Sequence, residues 1–565
     1  MQADSRKIIS ENIVADRSKL KIICVFLHRI YFGRIPYERQ YRGKKRKAMN
    51  ITELQQSYAS HPNVEGVCRL LKDNSVRHLY CGGLYASAAS LFSSVLVQRA
   101  TCPLVFILGD MEEAGYFYHD LTQILGTEQV LFFPSSFRRA IKYGQKDAAN
   151  EILRTEVLSR LQKGEEGLCV VTYPDALAEK VVSRKELGEN TLKLHAGERV
   201  DMNFVTDVLR SYGFEYVDYV YEPGQYAVRG SIIDVFSFSS EYPFRIDFFG
   251  DEVESVRTFE VETQLSKEKK ESIVIVPDLS HSLEKKGSGG MVSFLDFLPS
   301  DSLLAMRDFL WLRERIQTVH DESLTPQAIA ARESEENGAI TLEGKLIDGG
   351  EFTLRALDFR RMEFGNKPTG TPDATVSFHT TVQPIFHKNF DMVAESFREY
   401  LSRHYTIYIC SDSLKQTDRI RAIFEDRGDN ISFTAVERTL HEGFADDTLR
   451  ICVFTDHQLF DRFHKYNLKS DKARSGKVAL SLKELNQFTP GDYVVHTDHG
   501  VGRFAGLVRI PNGDTTQEVM KIVYQNEDVV FVSIHSLHKV SKYKGKEGEA
   551  PRLNKLGTGA WEKLK

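Results

Sequence analysis

A short predicted strand, His78–Gly83, leads through a turn of small residues into a predicted helix, Leu84–Val97, and phosphate-binding loops have this order of elements. Such a loop, GxxxxGK[ST], needs backbone amides and a lysine to hold phosphates and a hydroxyl group to bind Mg²⁺. Aligned on Gly82, the segment has Ser87 at the second glycine, Ala88 at the lysine and Ala89 at the hydroxyl position. We therefore predict a degenerate phosphate loop, and a chain that neither binds nor hydrolyses ATP.

The segment Phe244–Phe249, FRIDFF, separates into two faces if it forms a strand. One face is then apolar and belongs to a core, while the other carries Arg245 and a large aromatic ring, Phe249. Arg229 lies on a nearby predicted strand. An exposed aromatic ring beside arginines is typical of a protein-binding hot spot. The alternative is that Phe249 covers a seam between domains and that both arginines are only solvated.

Two histidines flank an aspartate in the segment Gly491–Leu507, GDYVVHTDHGVGRFAGL. His496, Asp498 and His499 supply too few ligands for a convincing metal site, so we predict none. We expect turn chemistry instead, with an Asx hydrogen bond from Asp498 and a glycine that accepts positive φ. No GxSxG or paired-carboxylate pattern occurs, so the sequence predicts no catalytic residues.

Changes in periodicity along the chain predict how these segments are positioned, and the fold class is multidomain α/β and β. In chain order we expect an unstructured basic extension (1–48), a degenerate nucleotide-type α/β module (49–188), a β-rich inserted domain (189–262), a return to mixed α/β structure (263–380), a second small α/β domain (383–466), a linker (467–486), a small SH3-like barrel (487–545) and the start of a long helix (546–565).

Composition limits the class of protein. The 565 residues carry a net charge of −5, but residues 1–48 alone carry about +9, which leaves about −14 for the remainder. An acidic body argues against broad non-specific DNA binding by these domains, because such binding neutralises phosphates. Seven scattered cysteines without a CxxC pair indicate a reducing compartment, and no apolar run reaches the roughly 20 residues that span a bilayer.

The segments Tyr221–Phe259 and Gly491–Leu507 together resemble the transcription-repair coupling factor family, known as DNA-translocating ATPases. The first is similar to domain 2 of the excision-repair protein UvrB, which places the degenerate loop where UvrB has its P-loop. The positions in register are Pro223, Gly224, Arg229, Gly230, Asp234, Phe236, Pro243, Arg245, Phe248, Phe249, Asp251 and Glu252. The resemblance implies that Arg229, Arg245 and Phe249 bind UvrA. On this basis, charge reversal at Arg245 should abolish binding without unfolding the domain.

The second segment is similar to the RNA-polymerase-interacting domain of that family and to CarD-type regulators. The resemblance implies contact with the polymerase β subunit by strand addition at Ile510, with Val508 and Leu507 beside it. The alternative is that Ile510 is a core residue of the barrel. Leu553–Lys565 is similar to the start of the family's relay helix, and the motor domains beyond it would hold ATP and Mg²⁺ and act on double-stranded DNA.

We therefore expect the adaptor part of a bacterial, cytoplasmic factor for transcription-coupled nucleotide excision repair. It would bind stalled RNA polymerase, recruit UvrA, hold no cofactor of its own and have no membrane partner. Two other functions stay open: an ATP-binding excision subunit of the UvrB type, and a CarD-type transcription regulator without a repair role.

Overall fold

The computed structural model describes residues 48–565 apart from the segments 137–147, 262–263, 279–289, 326–343, 463–465, 467, 469–488, 497, 513–514, 534–539, 544–550, 557–560 and 562–565. The predicted extension over 1–48 and the predicted linker over 467–486 therefore lie almost wholly outside the described residues, as does much of 546–565. Residues Met49–Lys565 form one compact unit.

A seven-stranded parallel sheet is the centre of the first α/β region. In spatial order its strands are Ala374–Ser377, His78–Gly82, Arg360–Gly365, Leu303–Met306, Leu104–Ile107, Cys169–Thr172 and Val130–Phe133. The inner strands His78–Gly82, Leu303–Met306 and Leu104–Ile107 are mainly apolar and buried along their length, as is usual when helices cover both faces. Segments 49–188 and 263–380, predicted as separate stretches, thus share one sheet.

Helices connect these strands. Their bounds are Ser87–Arg99, Met111–Leu125, Ala148–Lys163, Pro174–Ala178, Arg184–Glu189, Phe294–Phe297, Phe309–Ser323 and Gly349–Ala356. Helix Met111–Leu125 begins at a typical N-cap, because the Asp110 carboxylate accepts from the amides of Glu112 and Glu113. A short strand pair, Val181–Val182 with Met291–Val292, forms a separate two-stranded sheet.

A second, mixed sheet of six strands forms the other α/β region. Its spatial order is Met49–Asn50, Thr434–Glu437, Thr406–Ser411, Ile451–Thr455, Phe444–Asp446 and Thr380–Val382. The helices packed on it are Phe390–Ser402, Leu414–Asp426 and Asp456–Leu459.

The N-terminal segment joins the two α/β regions. Strand Met49–Asn50 pairs with the second sheet, while helices Ile51–Ala59 and Pro62–Leu70 pack in the core of the first. Between them, His61 Nε2 lies 3.5 Å from Asp446 Oδ2, and both side chains are fully buried. One continuous apolar cluster therefore reaches from the parallel sheet into the second region.

The β-rich region is a six-stranded, mostly antiparallel sheet covered on one face by helix Met202–Ser211. Its strands are, in spatial order, Ser266–Lys270, Glu252–Phe259, Phe244–Phe249, Ile232–Val235, Gln225–Arg229 and Glu215–Tyr216. A further pair, Leu192–His195 with Ser272–Ile275, extends its core.

The last region is a five-stranded sheet. Its strands are Val529–Ser533, Thr515–Val523, Gly500–Asn512, Tyr493–His496 and Val540–Lys542, with a 3₁₀ turn at Gln525–Glu527. The predicted multidomain α/β and β fold class is confirmed at this level. The descent from a nucleotide-binding loop and the SH3-like closure of this last sheet stay predictions. Among the described residues, no helix is long and apolar enough to cross a bilayer.

Candidate functional site

The carboxylate of Asp234 holds two arginines at the middle of the antiparallel sheet. Asp234 lies directly opposite Arg245 on the neighbouring strand. Arg245 donates from Nε to Oδ1 at 2.8 Å and from Nη2 to Oδ2 at 2.9 Å, and Arg229 donates from Nη2 to Oδ2. The Asp234 side chain is only 1% exposed. These ionic hydrogen bonds therefore replace the water that a buried carboxylate has lost.

Arg245 is tied further into the domain. Its Nη1 donates to the carbonyl oxygen of Gln264 at 3.1 Å, and its guanidinium lies 4.5 Å from the ring centroid of Phe259. Its side chain is 15% exposed. The hydrogen bonds that Arg245 donates to Asp234 raise the pKa of Arg245 above its ordinary value. Arg245 is thus first of all a structural partner of Asp234.

Arg229 is the more accessible of the two arginines. Its Nη1 donates to the carbonyl oxygen of Asp218 at 3.1 Å, and its guanidinium lies 4.9 Å from the ring centroid of Tyr219. The side chain is 35% exposed, so part of the guanidinium faces solvent.

Phe249 is the exposed aromatic residue that the strand pattern predicts. In FRIDFF the side chains of Phe244, Ile246 and Phe248 are buried, whereas Phe249 is 79% exposed. Among the residues that the structure describes, the Phe249 ring therefore does not cover a seam between domains. Gly250 follows at φ +60°, which lets the chain turn back immediately after the aromatic ring.

Strand register places Arg229 and Phe249 on one face at one end of the sheet, where strands Gln225–Arg229 and Phe244–Phe249 both end, and we call this end the hairpin edge. Arg229 pairs with Ile232, and Ile232 pairs with Asp247, so these three residues share a face. Phe249, two residues beyond Asp247, extends from the same face. Arg245 lies two residues before Asp247, one row further inward. The structure therefore brings the three predicted residues together, with Arg245 the most enclosed.

The predicted polymerase-binding residues lie in strand Gly500–Asn512. Leu507 is exposed, Val508 is half-buried, and Ile510 is in register with Gln517. The strand pairs with Tyr493–His496 only as far as Arg503, and from there on with Thr515–Val523. Among the described strands, the stretch from Leu507 onward is therefore paired on one side only.

The histidine segment forms a turn with a bond that the sequence did not predict. His496 Nδ1 accepts from the backbone amide of Asp498 at 3.1 Å, so the ring supplies an acceptor that we had expected from the aspartate. The rings of His496 and His499 stack at 4.6 Å, and Gly500 has φ +78° as expected. Within the described part of the chain, no cluster of three or more metal-binding side chains is found.

Family comparisons match the same two regions. The UvrB interaction domain matches residues 192–281, and the CarD-like/TRCF RID domain matches residues 488–544. The chain is a homologue of the transcription-repair coupling factors. It is 24% identical over 547 residues to the factor from Staphylococcus aureus (strain bovine RF122 / ET3-1) and 23% identical over 561 residues to that from Bacillus subtilis (strain 168). Each alignment covers 86% of this chain and 46% of the relative, so the chain spans about half the length of the relatives it matches.

The predicted phosphate loop of this coupling-factor homologue is closed by other parts of the chain. A Cβ on Gly83, at φ +76°, would lie 2.1 Å from the carbonyl oxygen of Phe378. Thr380 Oγ1 donates to the carbonyl oxygen of Gly83 at 2.7 Å and accepts from the amide of Tyr85 at 3.0 Å. The turn is thus filled by protein.

The N-terminus of the helix after this loop is also occupied. The amide of Ser87 donates to the carbonyl oxygen of Glu442 at 3.2 Å, and its hydroxyl donates to Asp120 at 2.6 Å. Asp120 accepts in addition from the amide of His441 at 2.6 Å. Helix N-termini favour anions, but here the amide of Ser87 is taken by a peptide carbonyl and its hydroxyl by a carboxylate. Ala88 and Ala89 are buried and apolar.

Sequence reasoning missed Asp234 and Asp120 as organising residues. Each is an acidic residue inside an apolar stretch, IIDVF and YHDL, and each is buried. An ionisable residue at an interior position demands partners. The sequence therefore indicated that these acidic residues need partners. It did not indicate which residues those partners are, because folding brings them together from distant parts of the chain.

Asp120 should make stability depend on pH. Burial raises its pKa to about 6, although hydrogen bonds from Ser87 and His441 oppose that shift. Because the folded pKa exceeds the unfolded one, the contribution of Asp120 is most favourable below about pH 4 and is lost as the pH rises through 6. We expect Asp120→Asn to gain about 2–3 kcal/mol relative to the parent between pH 4 and pH 8. Urea unfolding at several pH values measures this, and parallel pH profiles of the two proteins would contradict it.

Proposed function

We propose that this chain is the adaptor part of a transcription-coupled nucleotide excision repair factor, which binds stalled RNA polymerase and recruits UvrA. The observation that carries the proposal is the exposed Phe249 beside Arg229, inside the region that matches the UvrB interaction domain. A second docking region, matching the CarD-like/TRCF RID domain, lies on the same chain. Recruitment needs these two contacts to be made by one molecule.

The hairpin edge suits a protein partner. An aromatic ring that is held on a strand and exposed to solvent loses little conformational freedom on binding, and a neighbouring arginine adds charged hydrogen bonds. We propose that Phe249 enters an apolar pocket of UvrA and that Arg229 meets an acidic group next to it. Arg245 contributes mainly by fixing this arrangement through Asp234.

The one-sided pairing beyond Arg503 suits strand addition. A strand with a free edge offers backbone amides and carbonyls to a partner strand, and side chains at alternate positions then set specificity. We propose that the β subunit of RNA polymerase pairs along residues 507–510, where Leu507 is exposed.

We further propose that longer members of this family contain the motor domains. In them, motor domains would bind ATP and Mg²⁺ and move along double-stranded DNA, while the present chain works without a cofactor. The filled loop at Gly83 and the occupied amide of Ser87 support the proposal that ATP is bound by the motor domains and not by the present chain.

The direct test is a pair of titrations with the purified chain, one with UvrA and one with RNA polymerase. Binding of both, including a ternary complex of all three, is expected. Binding of polymerase alone would favour a CarD-type regulator, and an ATP-dependent signal would favour an excision subunit of the UvrB type.

Leu507→Asp should weaken polymerase binding about 10- to 100-fold, because a buried charge at a strand-addition interface is costly. Ile510→Asp should act in the same direction. Biolayer interferometry with core polymerase measures the affinity, and circular dichroism checks the fold.

Val529→Asp is a matched control for this experiment. Val529 is 37% exposed against 38% for Leu507, but it lies on the strand at the opposite edge of the sheet. It should bind polymerase like the parent. Equal losses of affinity for Leu507→Asp and Val529→Asp would contradict docking at residues 507–510. Unfolding of Ile510→Asp would favour the alternative in which Ile510 is a core residue of the barrel.

A further inference from the structure

We propose that Asp234 is a positioning residue of the docking site: it fixes Arg229 and Arg245 as one rigid unit beside Phe249, and the surface so formed fits an acidic protein surface that has an apolar socket. The proposal rests on the proposed function, because it assumes that UvrA contacts this hairpin edge. Neither the family matches nor the sequence pattern assigns a role to Asp234.

The geometry of the sheet makes Asp234 a shared anchor. On one side it faces Arg245, and on the other it faces Ala227, whose small side chain leaves space above the sheet. Arg229 lies two residues after Ala227 on the same face, and it reaches back diagonally to Oδ2 of Asp234. Both oxygens of the carboxylate are therefore used by guanidinium groups from the two flanking strands.

Burial makes this anchor obligatory. A carboxylate that is 1% exposed is strongly disfavoured unless it is paired and hydrogen-bonded. Asp234 cannot release the arginines into solvent without leaving its own charge buried and unpaired. Arg229 and Arg245 are thus held in place before any partner arrives, so binding does not have to order two long side chains.

The net charge of the Arg229–Asp234–Arg245 cluster indicates the kind of partner that this surface would bind. Two guanidinium groups and one carboxylate leave one net positive charge, and Arg229 is the more exposed of the two cations. The row of Arg245 continues with Arg257, whose charge is offset by its ion pair with Asp247, and ends at the exposed Lys269 on the edge strand. The net positive charge of the Arg229–Asp234–Arg245 cluster near Phe249 favours a partner whose apolar pocket is bordered by a carboxylate.

The test is Asp234→Asn in the full chain, with UvrA as the probe in isothermal titration calorimetry. Asparagine keeps the shape but removes the charge that holds both arginines. We expect at least tenfold weaker binding. Asp247→Asn is the matched control, because Asp247 lies on the same face and pairs at 2.8 Å with Arg257 instead. It should stay within about twofold of the parent.

A double-mutant cycle separates positioning from general stability. If Asp234 acts through Arg229, the losses from Asp234→Asn and Arg229→Ala are far from additive, since each removes the same arrangement. Additive losses would overturn the proposal, as would parent-like binding by Asp234→Asn.

A second variant covers the case in which Asp234→Asn does not fold. Arg229→Lys keeps the positive charge, but one ammonium group cannot bond Asp234 and the carbonyl of Asp218 in the same fork. We expect at least fivefold weaker binding, and unchanged affinity would overturn the proposal. Phe249→Ala distinguishes this failure from that of the proposed function. If Phe249→Ala loses binding while Arg229→Lys keeps it, only the role of Asp234 is wrong; if both bind like the parent, the hairpin edge is not the UvrA site.

Discussion

Replacing Phe249 with alanine is expected to weaken UvrA binding about 100-fold and to leave the fold unchanged. The ring is 79% exposed, so its removal opens no cavity in the core. Central aromatic anchors of protein interfaces contribute 2 kcal/mol or more, and about 2.7 kcal/mol corresponds to 100-fold in affinity. Calorimetric titration with UvrA gives the affinity, and thermal unfolding shows whether the domain is intact.

Phe204→Ala is the matched control for that measurement. Phe204 is also an exposed phenylalanine of the β-rich region, but it lies on helix Met202–Ser211, which covers the opposite face of the sheet. It should bind UvrA like the parent. If the two variants lose affinity equally, the hairpin edge has no special role in docking.

Arg245→Glu is expected to lower the free energy of unfolding by about 3–5 kcal/mol, which is the usual cost of breaking a buried ion pair. The change leaves Asp234 buried without its main partner and places a second carboxylate against it. Loss of UvrA binding by this variant would then report an unfolded domain. This expectation differs from the one drawn from sequence alone, which placed Arg245 in the UvrA-binding surface and predicted that its charge reversal leaves the domain folded. Urea unfolding followed by circular dichroism measures the effect.

Arg257→Glu provides the comparison. Arg257 pairs with Asp247, but both side chains are considerably more exposed than those of the Arg245–Asp234 pair. Its reversal should cost about 1 kcal/mol or less. If Arg245→Glu is as stable as Arg257→Glu and still fails to bind UvrA, then Arg245 contacts the partner directly, as the sequence suggested.

The strand and its exposed ring were predictable because both follow from local alternation. FRIDFF has a period of two, and that period alone places Phe249 on the face opposite the core. The role of Arg245 was not predictable in the same way. Its partner, Asp234, lies 11 residues earlier, and only the register of the antiparallel strands sets the two side chains opposite each other.

Contacts between residues that are far apart in the sequence could not be predicted from local sequence patterns. Ala88 and Ala89 indicated that no lysine holds a phosphate, but nothing near them indicated what occupies the helix N-terminus. The residue that occupies it is Glu442, which lies 355 residues after Ser87 in the sequence. The position of Met49–Asn50 in the second sheet could not be predicted for the same reason, because its partner strand is Thr434–Glu437.

That first strand also bears on how the protein is made. Met49 pairs with Val436, so the start of the described chain must wait for a partner that is synthesised almost 400 residues later. At 5–20 residues per second, the wait on a ribosome is roughly 20–80 s. During that time helix Ile51–Ala59 can pack on helices Ser87–Arg99 and Met111–Leu125 but not on strand Thr434–Glu437, and His61 lacks Asp446. The two α/β regions are thus completed together, late in synthesis, and a nascent chain interrupted before Thr434 would leave the earlier region unfinished.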